Sequence, residues 1–205
     1  MGKSALVMWG GWDGHTPEET AAILAGKLKA NGFDARVENS LQPLEDVEAV
    51  KKLNLIVPMW TMGELSQAQW TGLHQAIHDA GVGIAGVHGG MGDAFRGRVE
   101  YQWLVGGQFL GHPYIGEYTV ELTAADSPIT KGMPPSFTYN SEQYYMNIDP
   151  GVNVLACTNR KKFLRASAGF ARRPGKGRAG QVAASHGKPE FIRLRRIRPR
   201  AGGPR

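Results

Sequence analysis

The sequence predicts an α/β domain built on a mainly parallel sheet with helices on both faces. Three observations predict it. Short apolar runs alternate with helical segments from residue 5 to residue 87. The connections between them are short, as in successive βαβ units. The runs at 53–59 and 82–87 are almost wholly apolar, the mark of strands covered on both faces.

The elements follow in order. Residues 5–8 form a short apolar run ending in Gly10-Gly11, and read as a buried first strand. Thr16-Pro17-Glu18-Glu19 reads as a helix start, with Thr16 as cap, Pro17 at the first helical position and Glu19 three residues on. Ala21, Leu24, Ala25 and Leu28 give that helix one apolar face, and Asn31-Gly32 ends it. Residues 34–38 alternate as a second strand, and residues 44–51 suggest a short second helix. Residues 53–59 form the third strand. Ser66 opens a helix with Leu73, Ile77 and Ala80 inward and Gly81 beyond its end. Residues 82–87 form the fourth strand. Beyond Val87 the regularity weakens: 101–110 reads as helical, and 118–122, 136–139 and 152–158 as later strands. There are no internal repeats.

The chain has 205 residues, 41% of them hydrophobic, which suits one domain with a substantial core. Its net charge of +6 is unevenly placed. Residues 1–159 carry nine Lys/Arg against seventeen Asp/Glu, a net of −8; residues 160–205 carry fifteen against one, a net of +14. The expected organisation is therefore an acidic α/β domain over 1–159 and a basic segment over 160–205. That segment is rich in Arg, Gly and Ala with little apolar periodicity, so it is expected not to continue the domain. A coding frameshift produces such a junction, and a genuine basic arm is the rival; translating the other forward frames beyond codon 158 separates them. Aromatic residues are sparse there, so nucleic acid is not an expected partner.

No apolar run is long enough to span a bilayer, so no membrane partner is expected. The apolar start is too short for a signal peptide, and the expected location is cytoplasmic. The single cysteine, Cys157, excludes an internal disulfide framework and reads as a buried strand residue. Self-association is left open.

Ligands of open parallel sheets bind outside the strand carboxyl ends. Titratable and aromatic residues cluster at three such ends: Trp9-Gly10-Gly11-Trp12-Asp13-Gly14-His15, Pro58-Met59-Trp60-Thr61-Met62-Gly63-Glu64, and His88-Gly89-Gly90-Met91-Gly92-Asp93. Gly86-Val87-His88-Gly89-Gly90 has the small residues that permit a sharp strand-to-helix turn, which would push His88 out over the sheet. An imidazole there suits a general acid, general base or metal ligand. His88, Glu64 and His15 are the catalytic candidates, although Glu64 equally suits a helix cap. Trp12, Asp13, Trp60, Asp93, His112, Glu142 and Tyr144 are the substrate-binding candidates. Trp12, Trp60 and Trp103 suit stacking on sugar rings, or the core. Two or three histidines with a carboxylate could hold zinc or another divalent metal, but no compact spacing announces one. His74 and His78 have metal-like spacing on one helix and read as a solvated face.

Five segments in order resemble the ThuA-like (trehalose-utilisation) family: Gly10-Gly11-Trp12-Asp13-Gly14-His15, Pro58-Met59-Trp60-Thr61-Met62-Gly63-Glu64, Gly86-Val87-His88-Gly89-Gly90, Gln108-Phe109-Leu110-Gly111-His112-Pro113 and Ser141-Glu142-Gln143-Tyr144-Tyr145. The resemblance covers about residues 4–158. It implies a class I glutamine amidotransferase-like fold, a flavodoxin-like three-layer sandwich. In those amidotransferases the elbow residue is cysteine; here it is His88, so Cys-dependent glutaminase chemistry is not expected. The resemblance further implies a role in trehalose or related disaccharide metabolism, beside sugar oxidoreductases, with a small carbohydrate as ligand. Asn147 departs from the histidine often found there in the family. The sequence leaves two functions open: an enzyme acting on a carbohydrate or keto-sugar, and a non-catalytic ligand-binding or regulatory protein on a degenerate amidotransferase scaffold.

Overall fold

The computed structural model describes residues 2–123 and 127–158. The expected change of character beyond residue 159 falls outside the described residues. The chain divides into two compact units, and the first described unit ends at Val105.

The first unit holds a four-stranded parallel sheet in the order β2-β1-β3-β4. Its strands are β1 Lys3–Gly11, β2 Phe33–Glu38, β3 Leu55–Thr61 and β4 Gly83–Ile84. The expected parallel pairing of these four segments is present throughout, with Ala5 opposite both Ala35 and Leu55, and Leu55 opposite Gly83. The chain moves one way from β1 to β2 and the other way from β1 to β3, so the order reverses beside β1 and β3. Sites in open α/β sheets lie outside the strand carboxyl ends at that reversal.

Successive residues of a strand face opposite sides, and the core follows that period. Leu6, Met8, Ile56 and Ile84 pack with Leu73, Ile77, Tyr101 and Leu104 on one side of the sheet. Ala5, Val7, Leu55, Val57 and Met59 pack with Ala21, Leu24 and Ala25 on the other. Helices α1 Pro17–Ala30, α3 Gln67–His78 and α4 Val99–Val105 supply these faces, with a short α2 at Val47–Val50. Ser66 caps α3 in a full capping box, its hydroxyl accepting from Gln69 N–H while Gln69 accepts from the Ser66 N–H.

Several local expectations are corrected. Thr16 does not cap α1 through its side chain; it stands at φ 43°, because the 3₁₀ turn Asp13–His15 precedes it and its N–H bonds Asp13 C=O. The single helix expected over 44–51 is instead a 3₁₀ turn Gln42–Glu45 followed by α2. Asp46 separates them, its carboxylate accepting from Ala49 N–H as an N-cap. The ladder of β4 stops at Ile84, earlier than expected. The turn after it closes with Gly90 and Met91 N–H on Val87 C=O, and no helix follows directly. Positive φ falls on Gly89 rather than on His88, so the strained strand-to-helix elbow is not formed. The helix expected over 101–110 is α4 only as far as Val105.

The second described unit is a three-stranded antiparallel sheet, β6-β5-β7. Its strands are β5 Gly107–Leu122, β6 Ser136–Ile148 and β7 Ala156–Thr158. Tyr118 and Val120 form its small core with Phe137, Tyr139 and Ala156 around them. His112-Pro113, in one of the motifs that carry the resemblance, stands in no turn. It lies within β5, where the register shifts between Gly111 and Tyr114. Proline lacks the N–H a ladder needs, so a strand carries it at such an irregularity. Among the described residues no helix is long and apolar enough to cross a membrane.

Candidate functional site

Three loops of the first unit meet at the carboxyl ends of its strands. Trp12 N–H donates to Thr61 C=O at 3.3 Å, tying the end of β1 to the end of β3. Met62 N–H donates to Asp93 C=O, and Phe95 N–H to Met62 C=O, each at 2.9 Å. These bonds tie the loop after β3 to the loop after β4. The strand-end loops therefore share backbone hydrogen bonds and hold a common geometry.

His15 and His88 come together there. Their ring centroids are 5.6 Å apart at an interplanar angle of 71°, an edge-to-face contact. Trp12 meets His15 edge-on at 4.7 Å, and Trp12 as a residue is 53% exposed. Both histidines are half-buried. An imidazole at a half-buried position keeps access to ligand while its orientation is fixed by the protein.

The fixing group for His15 is Thr61, the last residue of β3. His15 Nδ1 lies 2.7 Å from Thr61 Oγ1, and the Thr61 hydroxyl donates to Gly89 C=O. The three strand ends thus contribute one residue each to a single chain of contacts: His15 after β1, Thr61 from β3 and Gly89 after β4. Sequence reasoning did not single out Thr61. Its only signal was a polar side chain closing an otherwise apolar strand.

The other candidates are placed as follows. Trp60 is half-buried against glycine backbone: a Cβ at Gly10 would stand 2.7 Å from its ring and one at Gly63 2.5 Å from its Nε1. Glu64 and Asp13 are exposed. Asp93 is buried, and both its carboxylate oxygens accept from Arg96, at 2.6 and 2.8 Å. That bidentate pair braces the loop after β4 and raises the pKa of Arg96. Arg96 carried no sequence signal beyond its spacing of three from Asp93.

His112, Glu142 and Tyr144 lie in the second unit. His112 Nε2 stands 3.6 Å from Glu142 Oε1. Tyr144 is buried, with Phe109 edge-on at 5.2 Å. Cys157 lies in β7, half-buried, and burial followed by the nearby Glu121 carboxylate pushes its thiol pKa up. A raised thiol pKa opposes formation of the thiolate that a cysteine nucleophile requires.

Among the described residues no group of three His, Cys, Asp or Glu side chains is placed to hold a metal ion. His74 and His78 stack at 5.1 Å on α3. His78 Nδ1 lies 3.0 Å from Asp79, the neighbouring carboxylate that the sequence reading passed over.

Comparison with known proteins agrees with this architecture. The family model for ThuA, trehalose utilisation, matches residues 4–187, which runs into the basic segment beyond the five motifs. A crystal structure of a ThuA-like protein from Bacteroides uniformis superposes with a TM-score of 0.66 at 18% identity, covering 89% of this chain and 74% of that one. A ThuA-like protein from Parabacteroides merdae superposes with a TM-score of 0.59 at 13% identity, covering 94% of this chain and 77% of that one. No curated protein matches the chain. The structural likenesses speak to the fold, and the family match spans most of the sequence. The chain belongs to the ThuA (trehalose utilisation) family.

Proposed function

We propose that the protein takes a disaccharide or keto-sugar derivative at the carboxyl ends of β1, β3 and β4. His88 and His15 serve as its acid/base pair, and Trp12 and Trp60 provide the aromatic surface against the sugar ring. The observation that carries this is the edge-to-face His15–His88 pair at 5.6 Å, assembled from two different strand-end loops. Two imidazoles side by side can share out the work of accepting and delivering a proton, because a ring nitrogen can act as donor or acceptor. The exposed Trp12 ring beside them gives an apolar face of the kind that sugars stack on. We take the scaffold as flavodoxin-like and class I glutamine amidotransferase-like. Its strand order begins as the doubly wound order 2-1-3-4-5 does, with the ligand at the β1/β3 reversal.

A second reading has its own support. By the resemblance His88 takes the place of the amidotransferase cysteine, in a turn that lacks the strained elbow, and Glu64 is exposed on its loop. Both suit a binding or regulatory protein that keeps the ligand cleft without turnover.

One experiment separates the two. Purified protein is incubated with trehalose, related disaccharides and their keto derivatives, and products are followed by chromatography. Turnover that falls about 10²–10⁴-fold in His88→Ala is the outcome expected of a lost acid/base group. Saturable binding without any product supports the regulatory reading, and neither binding nor product overturns both.

A further inference from the structure

We infer that Thr61 is a positioning residue that locks His15 in the tautomer protonated on Nδ1, which puts the ring's lone pair on Nε2. This rests on the reading of His15 and His88 as the site only for its functional meaning; the tautomer itself follows from the contacts.

A threonine hydroxyl has one hydrogen to donate and lone pairs to accept with. The Gly89 carbonyl can only accept, so the Thr61 hydrogen is committed to it. The same oxygen lies 2.7 Å from His15 Nδ1. If Nδ1 carried a lone pair, two acceptors would face each other at that distance with no hydrogen between them. Thr61 is fully buried, so no solvent molecule can relieve that repulsion. Nδ1 therefore carries the hydrogen and donates it to Thr61. In a neutral imidazole the tautomer is set by the bond the other nitrogen makes, so Nε2 holds the lone pair.

Gly89 makes the arrangement possible. It stands at φ +83°, a backbone conformation that glycine adopts without cost, and this aims its carbonyl at Thr61. A Cβ at this position would lie 2.6 Å from His15 Nδ1 itself. The carbonyl of the loop after β4 thus fixes, through one hydroxyl of β3, the proton on a ring that follows β1. Thr61 acts through His15 and touches no ligand.

The test is the ¹⁵N spectrum of the histidine rings in the full chain, assigned for His15 by its loss in His15→Gln. In neutral wild-type protein Nδ1 should carry the proton and Nε2 should show the shift of an unprotonated nitrogen. Thr61→Val keeps the shape and removes the hydroxyl, and should shift the tautomer ratio about tenfold toward Nε2–H, the size expected for one hydrogen bond. Thr61→Ser should restore the wild-type pattern. A wild-type His15 protonated on Nε2, or an unchanged ratio in Thr61→Val, overturns the inference. Should Thr61→Val fail to fold, the wild-type and Thr61→Ser spectra still decide it. A correct tautomer in a protein that binds no sugar leaves Thr61 in its role and sinks the proposed function instead.

Discussion

At the scale of single residues, Gly89 carries two constraints together: a positive φ and a backbone seated against the His15 ring. Replacing it with alanine adds left-handed strain of about 1–2 kcal/mol for a residue with a Cβ, and the new methyl displaces His15. Gly89→Ala should therefore lower the melting temperature and weaken any sugar binding; a variant with wild-type stability and binding would contradict the account. Tyr118 makes a separate prediction. Burial, then the neighbouring Tyr139 and Glu142, pushes its phenol from the ordinary 10.0 up to about 12. A pKa raised in the folded state stabilises fully below the unfolded value and is lost as pH rises through the folded one. Stability should thus fall between about pH 10 and pH 12, and chemical denaturation across that range should show a shallower fall for Tyr118→Phe. Residues of this kind were unevenly legible. His15 and His88 stood out because titratable side chains followed bland strands. Thr61 did not, because nothing local marks a hydroxyl that works through a ring placed 46 residues away.

Among the elements, α3 and the 3₁₀ turn Gln42–Glu45 pack with almost no gap. A Cβ at Gly72 would lie 1.7 Å from Leu44 C=O, and that atom is backbone, which cannot swing aside. Gly26 in α1 has nothing within 4 Å of its would-be Cβ. Glycine inside a helix costs roughly 0.5–1 kcal/mol relative to alanine, so Gly26→Ala should stabilise by about that amount. Gly72→Ala should destabilise despite the same propensity gain, by about 1–3 kcal/mol as overpacked sites do. Parallel thermal melts of the two variants check both signs. The elements most legible in the sequence were those with complete local signals. Ser66, with Leu73, Ile77 and Ala80 inward and Gly81 beyond the end, announced α3, and the apolar run 53–59 announced β3. The start of α1 misled, since Thr16-Pro17 looks like a cap whatever precedes it, and here the 3₁₀ turn Asp13–His15 rotates Thr16 out of capping geometry. The segments around His112 and Glu142 were given no element, because glycine, proline and charge interrupt them. The structure places them in a long hairpin, β5 with β6, whose irregular register absorbs Gly111 and Pro113.

At the scale of the whole molecule, the sequence revealed the parallel half far better than the antiparallel half. Period-two burial on both faces of β1 and β3 requires continuous apolar runs, and those are conspicuous. Among the described residues the second unit's hydrophobic cluster centres on Tyr118 and Val120, and a sheet with one small cluster leaves a weak pattern. The charge break near residue 159 falls at the end of the described residues, whereas the two units part between Val105 and Gly106. The central claim is that ligand binds where the loops after β1, β3 and β4 meet. The most direct measurement is a crystal structure of the protein soaked with a disaccharide such as trehalose. The account predicts sugar density with a hydroxyl in hydrogen-bond reach of His15 Nε2 or the His88 ring, and a sugar face against Trp12 or Trp60. Saturating sugar bound away from both histidines, with the strand-end loops empty, would contradict it.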